Sequence, residues 1–276
     1  MPGGNILLQD RDPLYLFGKI YTHSWRRHES VNPLLSFLAR CSLMKKLSIF
    51  VLLLTTSSHV FAQELKVAPI VGINFTNNIF SQLYKEEIRS GYANAKFQPL
   101  LRFSLGGIGD YAYTDNLSFR SGLLLNFKGS QVKGSDETGN ETVKIKTSYL
   151  EIPLWVAYRL GETGILLTGG PNIGFAMGGK VRSKGKMTYY GETETFDDTD
   201  QLDIGGDAYE DDVKPLDISF SIGVAKEISM AGKLLEVSVN IQPSLMSWST
   251  TSKIESKYSA RNFVVGFRAA YFFSFK

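Results

Sequence analysis

The chain has 276 residues, 43% of them hydrophobic and 12% aromatic, with 30 basic against 27 acidic side chains and a single cysteine. Seven of the basic and three of the acidic residues lie before position 63, so residues 63–276 carry 23 basic and 24 acidic groups, a balance that removes any basis for nucleic-acid binding. His23, His28, His59 and Cys41 are the only residues of their kinds and also precede position 63, which excludes disulfides, thiolate or imidazole metal sites and histidine-based acid–base chemistry from the remainder.

Residues 1–43 show no hydrophobic period and read as an upstream extension outside the mature protein. Met44-Lys45-Lys46 is followed by the apolar run 47–54 and then by Val60-Phe61-Ala62. A charged start, a short apolar core and a small residue at the cut describe a secretory signal peptide over 44–62. The apolar run is far shorter than the roughly 18–20 residues of a spanning helix. It predicts export, not anchoring.

From position 63 onward, period-2 stretches between turn signals predict eight strands: 65–75, 99–113, 117–128, 147–160, 164–179, 216–229, 233–246 and 260–275. Each exceeds the roughly 9–11 residues that a tilted strand needs to cross a bilayer. Three connections are tight (around 114–116, 162–163 and 231–232) and four are long (76–98, 129–146, 180–215 and 247–259). Short turns on one side and long loops on the other are the layout of an eight-stranded antiparallel up-and-down transmembrane barrel.

Parity within the strands supplies the orientation. In the last strand Phe263, Val265, Phe267, Ala269, Tyr271, Phe273 and Phe275 share one face, opposite Asn262, Gly266, Arg268, Ala270 and Ser274. The third strand sets Leu117, Phe119, Leu123, Leu125 and Phe127 against Arg120, Asn126 and Lys128; the seventh sets Leu235, Val237, Val239 and Ile241 against Glu236, Ser238, Asn240 and Gln242. The apolar face is expected to meet outer-membrane lipid, since Arg or Lys at the midplane costs about 2–4 kcal/mol. Tyr111, Tyr113, Tyr158, Tyr271 and Phe273 suit an aromatic belt at the turn side, with Phe75, Phe127, Trp248 and Tyr258 at the loop side. Gly106, Gly107, Gly109, Gly169, Gly170 and Gly174 interrupt the second and fifth strands as bulges or close-packing points.

The inward parity collects Arg102, Asp110, Arg120, Lys128, Glu151, Arg159, Asp217, Glu227, Glu236 and Arg268, five of each sign. An eight-stranded barrel is just wide enough to be filled by its own side chains, so this set predicts a paired, plugged lumen. Hairpin counting places Asp110 opposite Arg120 and Glu227 opposite Glu236, with Arg268 on the neighbouring strand as the cation expected to bridge the two glutamates. The alternative of a carboxylate pair doing acid–base work lacks partner chemistry.

Between Lys186 and Lys214 there is no basic residue, yet Glu192, Glu194, Asp197, Asp198, Asp200, Asp203, Asp207, Glu210, Asp211 and Asp212 all occur. This reads as a solvated surface loop, with a weak calcium or cationic-partner site as the alternative; the spacing does not fit an EF-hand. No metal ligand set and no cofactor site are assigned.

Several segments resemble the PorT-like outer-membrane β-barrel family of the Bacteroidota. They are the signal ending at Ala62-Gln63, the stretch 113–123 (YTDNLSFRSGL), Tyr149-Leu150-Glu151-Ile152-Pro153-Leu154, Gly170-Pro171-Asn172-Ile173-Gly174 and the aromatic closing strand. The resemblance covers the whole of 63–276 and rests on the order of short motifs. It departs at the end, where Lys276 follows Phe275 in place of a terminal aromatic. It implies an outer-membrane barrel of a Gram-negative cell envelope, inserted by the barrel-assembly machinery, with no catalytic residues to carry over. The family's namesake is associated with a secretion pathway, so an envelope or secretion protein partner is expected. The functions weighed are a non-enzymatic barrel acting through its loops or as a secretion accessory, a small-solute channel, a membrane enzyme running on Ser–Lys or carboxylate chemistry, and a soluble lipocalin-like binder.

Overall fold

A computed structural model describes residues 65–91, 94–190, 192–207, 211–230, 233–251 and 258–275. The extension 1–43 and the signal peptide 44–62 lie outside the described residues, as does Glu210.

Among the described residues, nine strands and one α-helix follow in chain order, with a 3-10 turn at Gly161–Thr163: β1 (Leu65–Phe80), α1 (Gln82–Gly91), β2 (Lys96–Ala112), β3 (Leu117–Ser135), β4 (Gly139–Arg159), β5 (Ile165–Tyr189), β6 (Glu192–Gln201), β7 (Leu216–Met230), β8 (Lys233–Pro243) and β9 (Ala260–Phe275). All strand ladders are antiparallel. Neighbours pair in the order β1-β2-β3-β4-β5-β7-β8-β9, and β9 pairs back to β1, so eight strands close a ring with no free edge. The sixth strand lies outside this ring, paired only to the far end of β5.

Five of the eight predicted ring strands run further on the loop side than the sequence reading had them. The segment 129–146, predicted as a long loop, is instead the continuation of β3 and β4 to a tight turn. There the Asp136 carboxylate accepts bonds from the Thr138 and Gly139 amides at 2.8 and 3.0 Å and from the Thr138 hydroxyl at 2.7 Å. The alternation never stops: Val132, Val143 and Ile145 stay inward and buried while Lys133, Thr142 and Lys144 face out. Above the apolar band the outward residues become polar, and a strand polar outside resembles a loop in sequence. The same reason hid β6 within 180–215. The connection 76–98 holds the end of β1 and α1, whose Tyr84 and Ile88 are one turn apart and both buried.

Burial alternates as the parity requires. Val71, Ile73, Phe103, Leu123, Leu125, Leu154, Val156, Leu167, Val224, Val237, Val239, Ile241 and Phe267 are exposed on the outer face, whereas Asn74, Asn126, Glu151, Asn172, Asp217 and Gln242 are at most 1% exposed inside. Among the glycines, Gly170 is a close-packing point: its φ is +154° and an added Cβ would lie 2.1 Å from the Leu154 carbonyl oxygen of β4. The register breaks lie elsewhere, between Pro99 and Ser104 in β2 and at Met177 in β5, opposite Ser148/Tyr149.

Candidate functional site

The lumen is filled in tiers. At its centre Lys128 on β3 contacts Glu151 on the neighbouring β4 at 2.7 Å and Asp217 on β7 at 2.9 Å. Its ammonium also sits 4.9 Å from the Tyr149 ring centroid. Three charges buried to about one part in a hundred survive because every one is bonded. Asn126 and Gln242 donate to Glu151 at 3.0–3.1 Å, while Ser244 and Asn262 donate to Asp217 at 2.9 and 3.2 Å. Arg268 donates to Gln242 at 3.2 Å and stacks 5.1 Å from the Trp155 ring, whose indole N–H is held by Asn172 at 2.9 Å.

Nearer the turn side, Arg120 donates Nε to Asp110 at 2.8 Å and contacts Glu236 on β8 at 2.8 Å. Arg159 at the turn-side mouth contacts Glu227 at 2.7 Å. Glu227 and Glu236 are register partners, but Arg268 does not bridge them. That expectation is corrected: each glutamate has its own arginine, and Arg268 lies deeper, against Gln242 and Trp155. Arg102 pairs with the inward, fully buried Asn74 on β1, while β2 is unpaired to β3 at this level; its guanidinium lies 5.6 Å from the Phe127 ring.

The loop end is closed by an apolar cluster of Phe80, Tyr84, Ile88, Val132, Val143, Ile145, Val181, Leu202, Val213, Trp248 and Ala260. Trp248 is 4% exposed, and Tyr258 packs against the same cluster edge-on to Tyr84 at 6.1 Å. Neither belongs to a loop-side membrane belt; both help to cap the barrel. Phe75 does face outward, 6.3 Å from Phe267.

The acidic segment is half strand. Glu192, Glu194, Asp197, Asp198 and Asp200 lie on β6, and Asp197 takes both arms of Arg182 at 2.6 and 2.7 Å. This pairing holds the Asp197 carboxyl below the usual carboxylate range. Asp203 and Asp212 are joined, the Asp203 amide donating to the Asp212 carboxylate at 3.0 Å, and the Asp207 amide donates to Asp211 at 2.6 Å. Burial, reinforced by Asp203, Asp211 and Asp200, raises the Asp212 pKa to about 6. Among the described residues no group of three or more His, Cys, Asp or Glu is placed to hold a metal ion.

Of the uncharged lumen polars, Asn126, Gln242 and Asn262 stand on the inward parity as the sequence reading placed them, and all are buried. Asn74, Asn172, Ser219 and Ser221 share that parity and are also buried, but were not singled out because the reading looked for charge; parity applied to Asn and Ser would have found them.

A closed antiparallel ring with an apolar exterior and a polar, ion-paired interior defines a membrane β-barrel. The soluble lipocalin-like alternative falls here, because it requires the inverse arrangement. The family model "Outer membrane protein beta-barrel domain" matches residues 61–248, and the chain belongs to that family. No curated protein matches it in sequence. Among solved structures it is similar to Ail, the attachment invasion locus protein of Yersinia pestis (12% identity, 76% of this chain, 99% of that one, TM-score 0.34). It is also similar to the outer membrane protein OprG from Pseudomonas aeruginosa (8% identity, 78% and 96%, TM-score 0.31) and to the outer membrane protease OmpT from Escherichia coli (9% identity, 79% and 99%, TM-score 0.32).

Proposed function

We propose that this outer-membrane barrel is non-conducting and non-enzymatic, and that it acts through its loop-side superstructure as a PorT-like envelope or secretion accessory of the Bacteroidota. The observation that carries this reading is the Lys128 bridge. A lumen cation tied at 2.7 and 2.9 Å to Glu151 on β4 and Asp217 on β7, beneath an apolar cap that contains Trp248, leaves no continuous wet path for a solute. The carboxylate pair Glu227/Glu236 is neutralised by two separate arginines and so lacks the shared proton that acid–base work needs. What projects beyond the ring toward a partner is the hairpin of β5 and β6. Membrane insertion through the barrel-assembly machinery and export on a cleaved leader belong to the same reading.

The test is a planar-bilayer recording of the purified full chain. The proposal gives no unitary conductance steps above background; reproducible open-channel steps would replace it with the small-solute channel.

A further inference from the structure

The outer flank of the barrel changes character abruptly above the apolar band. On β2–β5 the last outward apolar residues are Leu101, Phe127, Leu150 and Met177. Beyond them, register partners on the same outer face form four rows. The lowest joins Lys146 and Lys180, and the next joins Lys144 and Arg182. The third runs Lys96, Lys133, Thr142, Lys184, and the highest pairs Asn140 with Lys186. Arg102 reaches the lower edge of this field from the break in β2, and the Lys146 pKa is lowered by desolvation and by the surrounding charges of Arg102, Lys180, Lys144 and Arg182. Asp197 is the sole carboxylate in those rows, and it is taken by Arg182 and Lys184. The acidic partners on β6, Glu194, Asp198 and Asp200, lie on the opposite face of the hairpin, paired with Met187, Ser183 and Val181. Antiparallel pairing puts direct partners on one side, so the two signs are sorted to opposite faces.

We infer that this cationic flank is a docking surface for a phosphorylated glycolipid of the outer leaflet, whose acyl chains lie on the apolar band and whose phosphates meet the rows of lysines. Continuity selects the occupant: the same strands pass from lipid-facing apolar residues directly into cations, so the ligand is apolar below and anionic above. Height selects the headgroup. The rows at 180, 182, 184 and 186 span six residues, about 20 Å along the strand and about 15 Å after tilt. An ordinary phospholipid headgroup zone is only about 5–8 Å deep. The upper rows therefore stand above it, at the level of a sugar-phosphate headgroup. Lysine stems suit this position, since their methylenes lie along apolar surface while the ammonium reaches a phosphate.

The test uses the full-chain barrel immobilised in detergent and exposed to mixed micelles carrying diphosphoryl lipid A. A cation beside an anionic lipid surface contributes about fivefold in affinity, so Lys144→Gln/Lys146→Gln/Lys180→Gln is expected to bind roughly 100-fold more weakly. Lys85→Gln on α1, outside the flank, is expected to bind as the parent does. Fully dephosphorylated lipid A should bind the parent no better than diphosphoryl lipid A binds the triple variant. If the triple variant does not give a folded, heat-modifiable band, Lys180→Gln alone carries the test at about fivefold. Equal affinity of parent and lysine variant overturns the inference. So does equal binding of phosphatidylglycerol micelles at matched charge, which would mean attraction to any anionic surface. Neither result depends on whether the barrel conducts.

Discussion

Replacing Lys128 with Met removes the one cation shared by Glu151 and Asp217 while keeping a side chain of similar length. Both carboxylates are 1% exposed and share a level of the barrel on either side of β5, and the substitution leaves their charges without a shared cation. Breaking a buried ion pair from one side costs about 3–5 kcal/mol, because the orphaned charge keeps its desolvation penalty. The lower end applies here, since Asn126, Gln242, Ser244 and Asn262 still donate to the two acids. The assay is equilibrium urea unfolding of the barrel in lipid vesicles, followed by tryptophan emission. Lys128→Met should lose about 3 kcal/mol, and Lys128→Met/Glu151→Gln/Asp217→Asn should recover most of it, because a neutral set has no uncompensated charge. A loss below about 1 kcal/mol, or a triple variant no more stable than the single one, would refute the account of the lumen as an obligatory ion-paired layer.

Other substitutions probe the remaining parts. Trp248→Ala should hollow the loop-side cap at a cost of about 3–5 kcal/mol and speed proteolysis of the 203–213 segment, read by limited digestion and mass spectrometry. Gly170→Ala should cost about 2 kcal/mol or more, because its φ is occupied chiefly by glycine and the added methyl meets the Leu154 carbonyl; loss of the compact unboiled band on electrophoresis checks it. The Asp212 pKa stands near 6 in the folded loop, above its ordinary value, so the folded segment binds more protons than the unfolded one between about pH 4 and 6. Its stability is greatest below that window and falls as pH rises through it. Digestion of 203–213 should therefore be faster at pH 7.5 than at pH 5, and Asp212→Asn should flatten that difference.

The ring was legible because lipid and a narrow lumen both impose a period of two, so Phe267 beside Arg268 or Val237 beside Glu236 could be read as outside and inside. Closure, antiparallel order and the span of β9 follow from that alternation. Legibility ended where the membrane ends. Above the band, Lys144 and Arg182 face outward on strands as regular as those below, and polar strands have the composition of loops. The cap was invisible for another reason: Trp248, Tyr84 and Leu202 are far apart in sequence and meet only because the segment after β8, α1 and the segment after β6 fold over the same opening. Arg268 was placed beside the glutamates by strand adjacency, whereas depth along the barrel set its true partners.

Residues 63–276 have no cysteine, so single cysteines can be placed one at a time along β8 from 235 to 241 and labelled with an environment-sensitive dye in proteoliposomes containing brominated acyl chains. Labels at 235, 237, 239 and 241 should be strongly quenched by bromine, and those at 236, 238 and 240 should be silent. A reversed alternation, or uniform quenching at all seven positions, would contradict a barrel that turns its apolar face to lipid and its charges to one another.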